Sequence, residues 1–308
     1  MRRSLTAAVL SAAFSLRLSA QSPSLKMIEI PLSDCGGMPC VEMQTAAGKP
    51  LHLLIDLAQP NAYLDSKAAR TLDLELKPLQ GAGGGDIPDV QQTVVAGAKL
   101  GDLPMGDFPF MVLDTAPQPS QPGPQSPPLP ADGGLTYRSF KDRLVQIDFP
   151  HHALRISEPL SDPQPCPRTC SPLVIKHFGR FGPVTLTTKG FEVNGQSMDA
   201  QIDTLFTGTL LIYPLSLEKL GLKKVKKDKT KESFPFMQGG IQLVHSAKGA
   251  SESFQGVPLL QDAPIYFAPA DRAFPELQFD ATVGSGLLSH GVVTFDFKGM
   301  QMWIEGSP

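Results

Sequence analysis

The sequence is poor in aromatic residues and in charge. Only 7% of the 308 residues are aromatic and 19% are charged, and the formal net charge at pH 7 is −3. Because the chain has no excess of positive charge, it has no general attraction for phosphate groups, and the composition argues against a nucleic-acid partner. The hydrophobic share of 41% is sufficient for a sizeable core at this length.

Long hydrophobic runs are also lacking after the N-terminal segment. Beyond residue 20, no segment approaches the roughly 18 consecutive apolar residues of a membrane-spanning helix. Residues 1–20 have the pattern of a secretion signal, with basic Met1-Arg2-Arg3, an apolar stretch from Leu5 to Leu16 and the small residue Ala20. We expect cleavage after Ala20, a mature chain without a membrane span, and a periplasmic or extracellular location. An uncleaved N-terminal anchor is the alternative.

Cysteine is scarce, and all four cysteines lie after the signal segment: Cys35, Cys40, Cys166 and Cys170. Disulfides are the expected state in an exported protein, and three pairings are possible. The short spacings favour Cys35 with Cys40 and Cys166 with Cys170. Neither pair has the two-residue gap of a zinc knuckle, and no histidine stands nearby at ligand spacing, so we predict no metal and no other cofactor.

Proline and glycine, in contrast, are abundant. The chain has 30 prolines and 28 glycines, which argues against a helical bundle and for many short strands joined by turns. We predict an all-β fold class. Ser157 to Pro172 is rich in proline, serine and aspartate and has the composition of a linker, and Pro117 to Pro130 has that of an exposed, solvated insertion.

The chain also repeats itself. In each half, a strand entered through glycine and proline leads to a polar turn and then to a strand that ends in Ile55-Asp56 or Ile202-Asp203. Further on, Val145 to Phe149 matches Val293 to Phe297 at nearly the same distance from the Ile-Asp pair. The repetition predicts a duplicated β unit. We expect the segments to be a signal peptide, two lobes and an intervening linker, at residues 1–20, 26–157, 172–305 and 158–171.

These motifs resemble those of the retropepsin-like and pepsin-like aspartic peptidases. Each lobe of that family carries Asp-Thr/Ser-Gly and, later, two hydrophobic residues followed by glycine. Here the first motif is Asp56-Leu57-Ala58 in one half and Asp203-Thr204-Leu205 in the other. The later segment is Gly134-Leu135-Thr136, with threonine in place of glycine, and Thr282-Val283-Gly284. The resemblance covers nearly the whole mature chain and is closest to bacterial exported proteins with two such lobes in one polypeptide.

The resemblance implies two β lobes with short helices and a cleft between them. Asp56 and Asp203 would share one proton and activate a water molecule that hydrolyses a peptide bond. The hydroxyl of Thr204 would tie the lobes together, and the glycine that follows it in the family would let the backbone approach a carboxylate. Gly284, in the later segment, would support the site. A glycine-rich turn that contains Gly83, Gly84 and Gly85 would belong to a flap over the cleft, with Gly239-Gly240 as its counterpart. The expected ligand is an extended polypeptide, and the expected oligomeric state is a monomer.

Three departures from the family pattern lie at the site. Leu57 has no hydroxyl group, Ala58 replaces a glycine, and Leu205 puts a branched side chain where the backbone must approach a carboxylate. These residues predict a loosened site, so a pseudo-peptidase that binds extended polypeptides without cleaving them stays open beside the active enzyme. A structural envelope protein with disulfides is a further alternative, in which the two aspartates would be ordinary turn residues.

Overall fold

The computed structural model describes residues 25–81, 84–114, 129–177, 184–234, 242–269 and 279–306. The predicted signal segment, Gly83, Gly239-Gly240 and residues 117–128 of the proline-rich insertion lie outside the described residues. None of the helices in the described ranges has the length and apolar character needed to cross a lipid bilayer.

Alternating burial shapes the strands of the first half. In Pro39–Gln44, for example, exposed Glu42 and Gln44 alternate with buried Val41 and Met43, as expected for a strand with one face on a core. The strands are β1 Met27–Pro31, β2 Ser33–Asp34, β3 Pro39–Gln44, β4 Pro50–Ile55, β5 Tyr63–Asp65, β6 Lys77–Gln80, β7 Asp86–Leu100, β8 Leu103–Leu113, β9 Gly133–Leu135, β10 Leu144–Asp148 and β11 Ala153–Ser157.

The second half is built in the same way, and the described helices of both halves are short. The remaining strands are β12 Ser171–His177, β13 Val184–Thr188, β14 Phe191–Val193, β15 Gln196–Ser197, β16 Ala200–Asp203, β17 Leu210–Ile212, β18 Lys231–Phe234, β19 Gln242–Phe254, β20 Val257–Phe267, β21 Ala281–Gly284, β22 Gly291–Asp296 and β23 Gln301–Gly306. The α-helices are α1 Ser66–Thr71 and α2 Ser285–Leu288, and 3-10 turns span Tyr137–Phe140 and Pro214–Ser216.

The two halves arrange their strands in the same order and the same directions. β4 is parallel to β9, β9 antiparallel to β5, β5 parallel to β8, and β8 antiparallel to β7. β16, β21, β17, β20 and β19 repeat this order with the same directions. The chain therefore folds as two similar β lobes, and the fold class predicted from the sequence, all-β with two lobes and short helices, is confirmed.

Strands β10 and β22 join the two lobes. They pair antiparallel, with Gln146 opposite Thr294, Val145 opposite Phe295 and Ile147 opposite Val293. Gln146 and Thr294 are equivalent residues of the repeat, so this pairing places a pseudo-twofold axis between them. On either side the sheet continues in the order β1, β11, β10, β22, β23 and β12, so both halves contribute to it.

The apolar side chains of this joint are fully buried. Val145, Ile147, Val293 and Phe295 are each 0% exposed, and they belong to one hydrophobic core that contains residues of both halves. Phe295 stacks on Phe297 with ring centroids 5.7 Å apart. Burial of a side chain of this size stabilises a fold by about 1.5–3 kcal/mol, so the joint contributes strongly to holding the lobes together.

The linker between the halves is fixed to both of them. The N–H of Leu160 donates to the carbonyl of Asp142 at 2.7 Å, and the N–H of Gln164 donates to Asp296 Oδ2 at 2.8 Å. Gln301 Nε2 in turn donates to the carbonyl of Gln164 at 2.7 Å. This segment has little regular secondary structure, yet its backbone is hydrogen-bonded to one lobe at one end and to the other lobe further on.

A buried carboxyl group in the second lobe stands out from its apolar neighbours. Glu252 lies on β19 between the buried residues Ala250 and Phe254 and is 0% exposed. Neither of its side-chain oxygens has a hydrogen-bond partner among the described residues. Burial raises the pKa of Glu252 from 4.5 to about 8, so this side chain is protonated at neutral pH.

The replacement Glu252→Gln should remove a loss of stability at high pH. Between pH 4.5, where the glutamate of the unfolded chain ionises, and about pH 8, the folded state binds the proton more tightly. The free energy of unfolding therefore falls as pH rises through this window and is lowest above it. Because one pKa unit corresponds to about 1.4 kcal/mol, the loss should amount to a few kcal/mol. Urea unfolding at several pH values across the window measures it.

The matched control is Glu305→Gln, which changes an exposed glutamate on β23. This variant should keep the pH dependence of the wild type. A Glu252→Gln protein that loses stability with pH as steeply as the wild type would contradict the assignment of this dependence to the buried carboxyl.

Candidate functional site

Asp56 and Asp203 lie at the ends of equivalent strands. Ile55 of β4 pairs with Leu135 of β9, and Asp203 of β16 pairs with Gly284 of β21. Asp56 is 3% exposed and Asp203 is 8% exposed, so both carboxyl groups are almost withdrawn from solvent. The pseudo-twofold relation brings them near enough for the charge of Asp203 to oppose the ionisation of Asp56.

Backbone N–H groups hold one oxygen of each carboxyl. Ala58 donates to Asp56 Oδ1 at 3.2 Å, while Leu205 and Phe206 donate to Asp203 Oδ1 at 3.0 and 3.2 Å. Neither Ala58 nor Leu205 adopts a positive φ. The strain expected for an alanine in place of a glycine therefore does not arise here.

The side chain of Leu205 does not keep the backbone away from Asp203. It is 6% exposed and packs in a small apolar cluster with Met38, Cys40 and Leu54 of the first lobe. Its own N–H donates to the carboxylate, as described above. The obstruction expected from the sequence was therefore wrong, because the branched side chain points into a contact between the lobes.

Thr204 ties the second lobe to the strand end of the first. Its Oγ1 accepts a hydrogen bond from the N–H of Leu57 at 3.1 Å and donates to the carbonyl of Ile55. Leu57 itself is 0% exposed and belongs to the hydrophobic core. Thr204 thus forms the hydrogen bonds between the lobes that the resemblance implies. Leu57, at the equivalent position, has no hydroxyl group and cannot form the symmetric bonds.

A second hydroxyl takes part in joining the lobes. Thr185 Oγ1, on β13, donates to the carbonyl of Ala58 at 2.9 Å. Gln201 Nε2 donates to the same Thr185 oxygen at 2.9 Å, and Thr282 Oγ1 donates to Gln201 Oε1 at 3.0 Å. The chain of bonds continues to the hydroxyl of Tyr213, which is 2.9 Å from Thr282 Oγ1. This buried network fixes the turn after Asp56 from the second lobe.

Gly284 and Thr136 occupy equivalent positions but have different surroundings. A Cβ atom on Gly284 would overlap the carbonyl oxygens of Phe206 and Gly208, so no other residue fits at this close approach. Thr136 is 0% exposed, and its hydroxyl lies 3.4 Å from the carbonyl of Pro60, to which it donates. The first lobe therefore has room for a side chain where the second has none.

Tyr63 contacts the site directly. Its hydroxyl donates to Asp56 Oδ2 at 3.1 Å, and the residue is 7% exposed. Burial, followed by the charge of Asp56, raises the pKa of Tyr63 well above its usual value, so the hydroxyl keeps its proton and remains a donor.

Burial is the main cause of the raised pKa values of both aspartates. It raises the pKa of Asp56, and the charge of Asp203 raises it further against the opposing hydrogen bonds from Tyr63 and the backbone. It also raises the pKa of Asp203, against the N–H groups of Leu205 and Phe206. A pair of this kind keeps one proton between its two carboxyl groups into mildly acidic and nearly neutral solution.

Gly81, Gly84 and Gly85 lie between β6 and β7, which pair antiparallel, whereas Gly83 lies outside the described residues. The N–H of Gly81 donates to the carbonyl of Gly85 at 2.8 Å, and Gly84 and Gly85 are exposed. A cavity of about 380 Å³ borders this hairpin and the turn after Asp56. Its lining is largely apolar: Pro60, Asn61, Ala62, Leu79, Gln92, Phe108, Pro109, Phe110, Met111, Arg138 and Ser139.

The four cysteines form two local disulfides. Cys35 is bonded to Cys40 and Cys166 to Cys170, with Cα atoms 5.9 and 5.8 Å apart. Cys40 packs in the same apolar cluster as Leu205, and Cys35 borders that cluster. The first disulfide therefore cross-links the apolar cluster against which Leu205, in the turn after Asp203, packs. The second disulfide lies in the linker.

Tyr63 and Thr185 are functional candidates that the motif comparison misses. Tyrosine is rare, with four in the chain, and both halves place one in or just after the strand that follows the Asp turn, at Tyr63 and Tyr213. The strand pairing makes Leu211, and not Tyr213, the counterpart of Tyr63, so the repeat itself does not point to Tyr63. The contact of Thr185 with Ala58 spans 127 residues, and no local pattern indicates it.

Removal of the Thr204 hydroxyl should weaken the joint at the site. In Thr204→Val, the N–H of Leu57 and the carbonyl of Ile55 lose their buried partner, which should lower the free energy of unfolding by about 1–3 kcal/mol. Thr204→Ser keeps the hydroxyl and should recover most of the loss. Urea unfolding of the three proteins measures this. Equal stability of Thr204→Val and wild type would refute the role of the hydroxyl.

Loss of the Cys35–Cys40 disulfide should loosen the Asp203 turn. We expect faster hydrogen exchange at the N–H of Leu205 when Cys35 and Cys40 are both replaced by serine, because the supporting cluster loses its cross-link. The matched control replaces Cys166 and Cys170, which close a loop of similar size in the linker. Exchange that accelerates equally in both variants would show a general loss of stability instead.

The comparisons with known proteins show the fold alone. No family model matches the chain, and no curated protein matches it. Solved structures do match: the crystal structure of edgp superposes with a TM-score of 0.50 at 11% identity, over 93% of this chain and 96% of that one. At this identity the chain is similar to edgp in fold, and nothing about its activity follows from the match.

Proposed function

We propose that the chain is an aspartic-type endopeptidase of the retropepsin-like or pepsin-like kind. The observation that carries the proposal is the pair Asp56 and Asp203. The two carboxyl groups are buried, lie at equivalent strand ends and interact electrostatically, and Thr204 next to Asp203 is hydrogen-bonded to the backbone on both sides of Asp56. An ordinary turn or capping aspartate remains exposed, and it does not have a second carboxyl as its neighbour.

The proposed reaction needs one ionised and one protonated carboxyl group. The ionised group takes a proton from water, whose oxygen attacks the peptide carbonyl carbon, while the protonated group donates to the carbonyl oxygen. The tetrahedral intermediate then loses its C–N bond, and the leaving nitrogen receives a proton from the dyad. Raised pKa values of both carboxyl groups keep this singly protonated state populated at a higher pH than for an exposed pair.

The proposed substrate is a polypeptide in an extended conformation. Among the described strands, β6 ends the sheet of the first lobe, so its outer edge can pair with an extended chain. The cavity of about 380 Å³ beside this hairpin would take an apolar side chain of the substrate, because Leu79, Phe110 and Met111 line it.

The proposal includes the organisation of the chain. Lobes at residues 26–157 and 172–305, with the linker 158–171 between them, would form one monomeric enzyme with the cleft at their junction. The signal pattern of residues 1–20 and the two disulfides support export to the periplasm or beyond the cell.

Peptide binding without cleavage is a second candidate. Two observations favour it: Leu57 cannot supply the second hydroxyl tie, and Tyr63 already occupies Oδ2 of Asp56. An aspartate with donors on both oxygens is a weaker base than a free one. The same cleft could then hold an extended polypeptide intact.

Peptide hydrolysis by the wild type and by Asp203→Asn separates these functions. We expect the wild type to cleave an unfolded polypeptide such as reduced casein, with a maximum near about pH 5–7, where the dyad holds one proton. Asp203→Asn should lose at least about a hundredfold in kcat/KM, since the amide can neither accept the proton of water nor share one. Peptide mass mapping of the products measures cleavage.

The control is Asp102→Asn, in an exposed turn between β7 and β8, which should cleave as well as the wild type. Equal turnover by wild type and Asp203→Asn would end the proposal of a catalytic dyad. No turnover by the wild type, with saturable binding of the same polypeptide, would establish the second candidate.

A further inference from the structure

The segment that follows β17 carries a concentration of lysine. Residues 214–234 contain seven lysines and three acidic residues, a net charge of +4, whereas the whole chain has a net charge of −3. All seven lysines are exposed, and we call them the lysine cluster: Lys219, Lys223, Lys224, Lys226, Lys227, Lys229 and Lys231. The charge of the chain is therefore unevenly distributed, and this surface attracts anions although the protein as a whole does not.

Contacts with the second lobe fix this segment in place. The N–H of Asp228 donates to the carbonyl of Ser246 at 2.7 Å, and Ser246 Oγ donates to Asp228 Oδ2 at 3.1 Å. The ammonium group of Lys227 lies 4.8 Å from the centroid of the Phe267 ring. The lysines are thus carried by a backbone that is bonded to the lobe.

The strand register places the cluster at one end of the sheet of the second lobe. Lys231 pairs with His245, and His245 pairs with Phe267. Phe267 pairs in turn with Ile212, the last residue of β17, so the four residues form a row across neighbouring strands. At about 4.8 Å from strand to strand, this row spans about 14 Å. The lysines therefore line one rim of the lobe.

An exposed leucine lies at the other end of this row. Leu215, three residues after Ile212, is 75% exposed, more than any other large hydrophobic side chain that the structure describes. Lys219 follows four residues later in the same series of tight turns, so the two side chains are neighbours on its outer side. Lys223 pairs with Glu218 at 3.2 Å, which brings the rest of the cluster next to these turns. A projecting apolar side chain is therefore part of the basic surface.

The kind of cation in the cluster distinguishes between anionic partners. Residues 214–234 contain no arginine. The planar arginine side chain recognises phosphate or carboxylate through two parallel hydrogen bonds, whereas lysine is a point charge that is attracted to any negatively charged surface. Lys219 and Lys223 form ion pairs, and the other five lysines pair with no carboxylate within the described ranges. The cluster is therefore suited to an extended anionic surface rather than to one specific group.

We propose that the lysine cluster and Leu215 bind the chain to the surface of a lipid bilayer that contains acidic phospholipids. The lysines approach the negatively charged headgroups, and Leu215 enters the boundary between headgroups and acyl chains. A polyanion in solution would attract the lysines but would gain nothing from an exposed leucine, so Leu215 favours the bilayer. The proposal does not rest on peptidase activity.

This surface is separate from the candidate site. Ile212 pairs with Ala281, whereas Asp203 pairs with Gly284, three residues further along β21. Three residues of a strand span about 10 Å, so the cluster lies at the end of these strands that is away from the carboxyl pair. The bound chain therefore turns towards the lipid a surface other than that of the two aspartates.

Sedimentation with lipid vesicles tests the proposal. The chain is used without residues 1–20, because the predicted signal segment would itself bind lipid. We expect binding to vesicles of about one third phosphatidylglycerol and two thirds phosphatidylcholine, and binding at least about twentyfold weaker to phosphatidylcholine alone. Binding to the mixed vesicles should be lost between about 0.05 M and about 0.5 M salt, because salt screens the attraction.

Two fourfold variants separate the cluster from the net charge of the chain. One changes lysines of the cluster: Lys224→Gln, Lys226→Gln, Lys229→Gln and Lys231→Gln. The matched control changes exposed lysines elsewhere and has the same net charge: Lys49→Gln, Lys99→Gln, Lys141→Gln and Lys189→Gln. The first should bind the mixed vesicles at least about thirtyfold more weakly than the wild type, and the second within about threefold of it.

Leu215→Ser tests the apolar contact. It should weaken binding to the mixed vesicles by about five- to tenfold, whereas Val94→Thr, at another exposed apolar residue, should leave it within about twofold. Elution from heparin–agarose depends on charge alone, so Leu215→Ser should elute at the same salt concentration as the wild type.

A wild type that does not bind the mixed vesicles would overturn the proposal, and this outcome needs no variant. Equal binding by the two fourfold variants would overturn it as well. If Leu215→Ser binds the vesicles as tightly as the wild type, the surface binds polyanions by charge alone and the assignment to a bilayer is wrong. Each of these outcomes can be read whether or not the chain hydrolyses peptides.

Discussion

The pairing of β10 with β22 is the interaction on which the site depends. It is symmetric about Gln146 and Thr294, so it relates the two lobes by a pseudo-twofold axis. Equivalent residues of the repeat are thereby placed across one axis, and Asp56 and Asp203 approach each other although 147 residues separate Leu57 from Thr204. A shift of this pairing by one residue would turn the buried side chains of β10 outward and would also displace the carboxyl groups.

The lobes are alike in topology and unlike in chemistry. Both hydroxyls that cross between them at the site, those of Thr204 and Thr185, come from the second lobe and bind backbone groups of the first. The first lobe contributes a tyrosine that is bonded to its own aspartate. The two lobes therefore share one strand topology, and they differ at the site in a few side chains that contact the aspartates or the other lobe.

The strand topology of the two lobes could be predicted from the sequence better than the side-chain contacts at the site. The repeat and the Ile-Asp strand ends indicated two similar lobes, because strand order follows from hydrophobic pattern and turn residues, which are local properties. The effect of Leu205 was misjudged, since a motif shows which residue replaces glycine but not where its side chain points. Thr185 could not be found, because its partner lies in the other half of the chain. Tyr63 could not be found from the repeat either, because Leu211 takes its place in the second lobe.

The joint between the lobes also determines what a separated half would be. Without the second lobe, β10 would keep Val145 and Ile147 but lose the strand that covers its edge, and such an edge pairs with any strand of matching pattern. Its partner β22 is the equivalent strand of the repeat. The chain therefore corresponds to a homodimer whose two subunits are joined by a linker. The anchored linker supplies a high effective concentration of one lobe for the other. Association of the two lobes, and with it the meeting of the two aspartates, is therefore independent of how dilute the protein is.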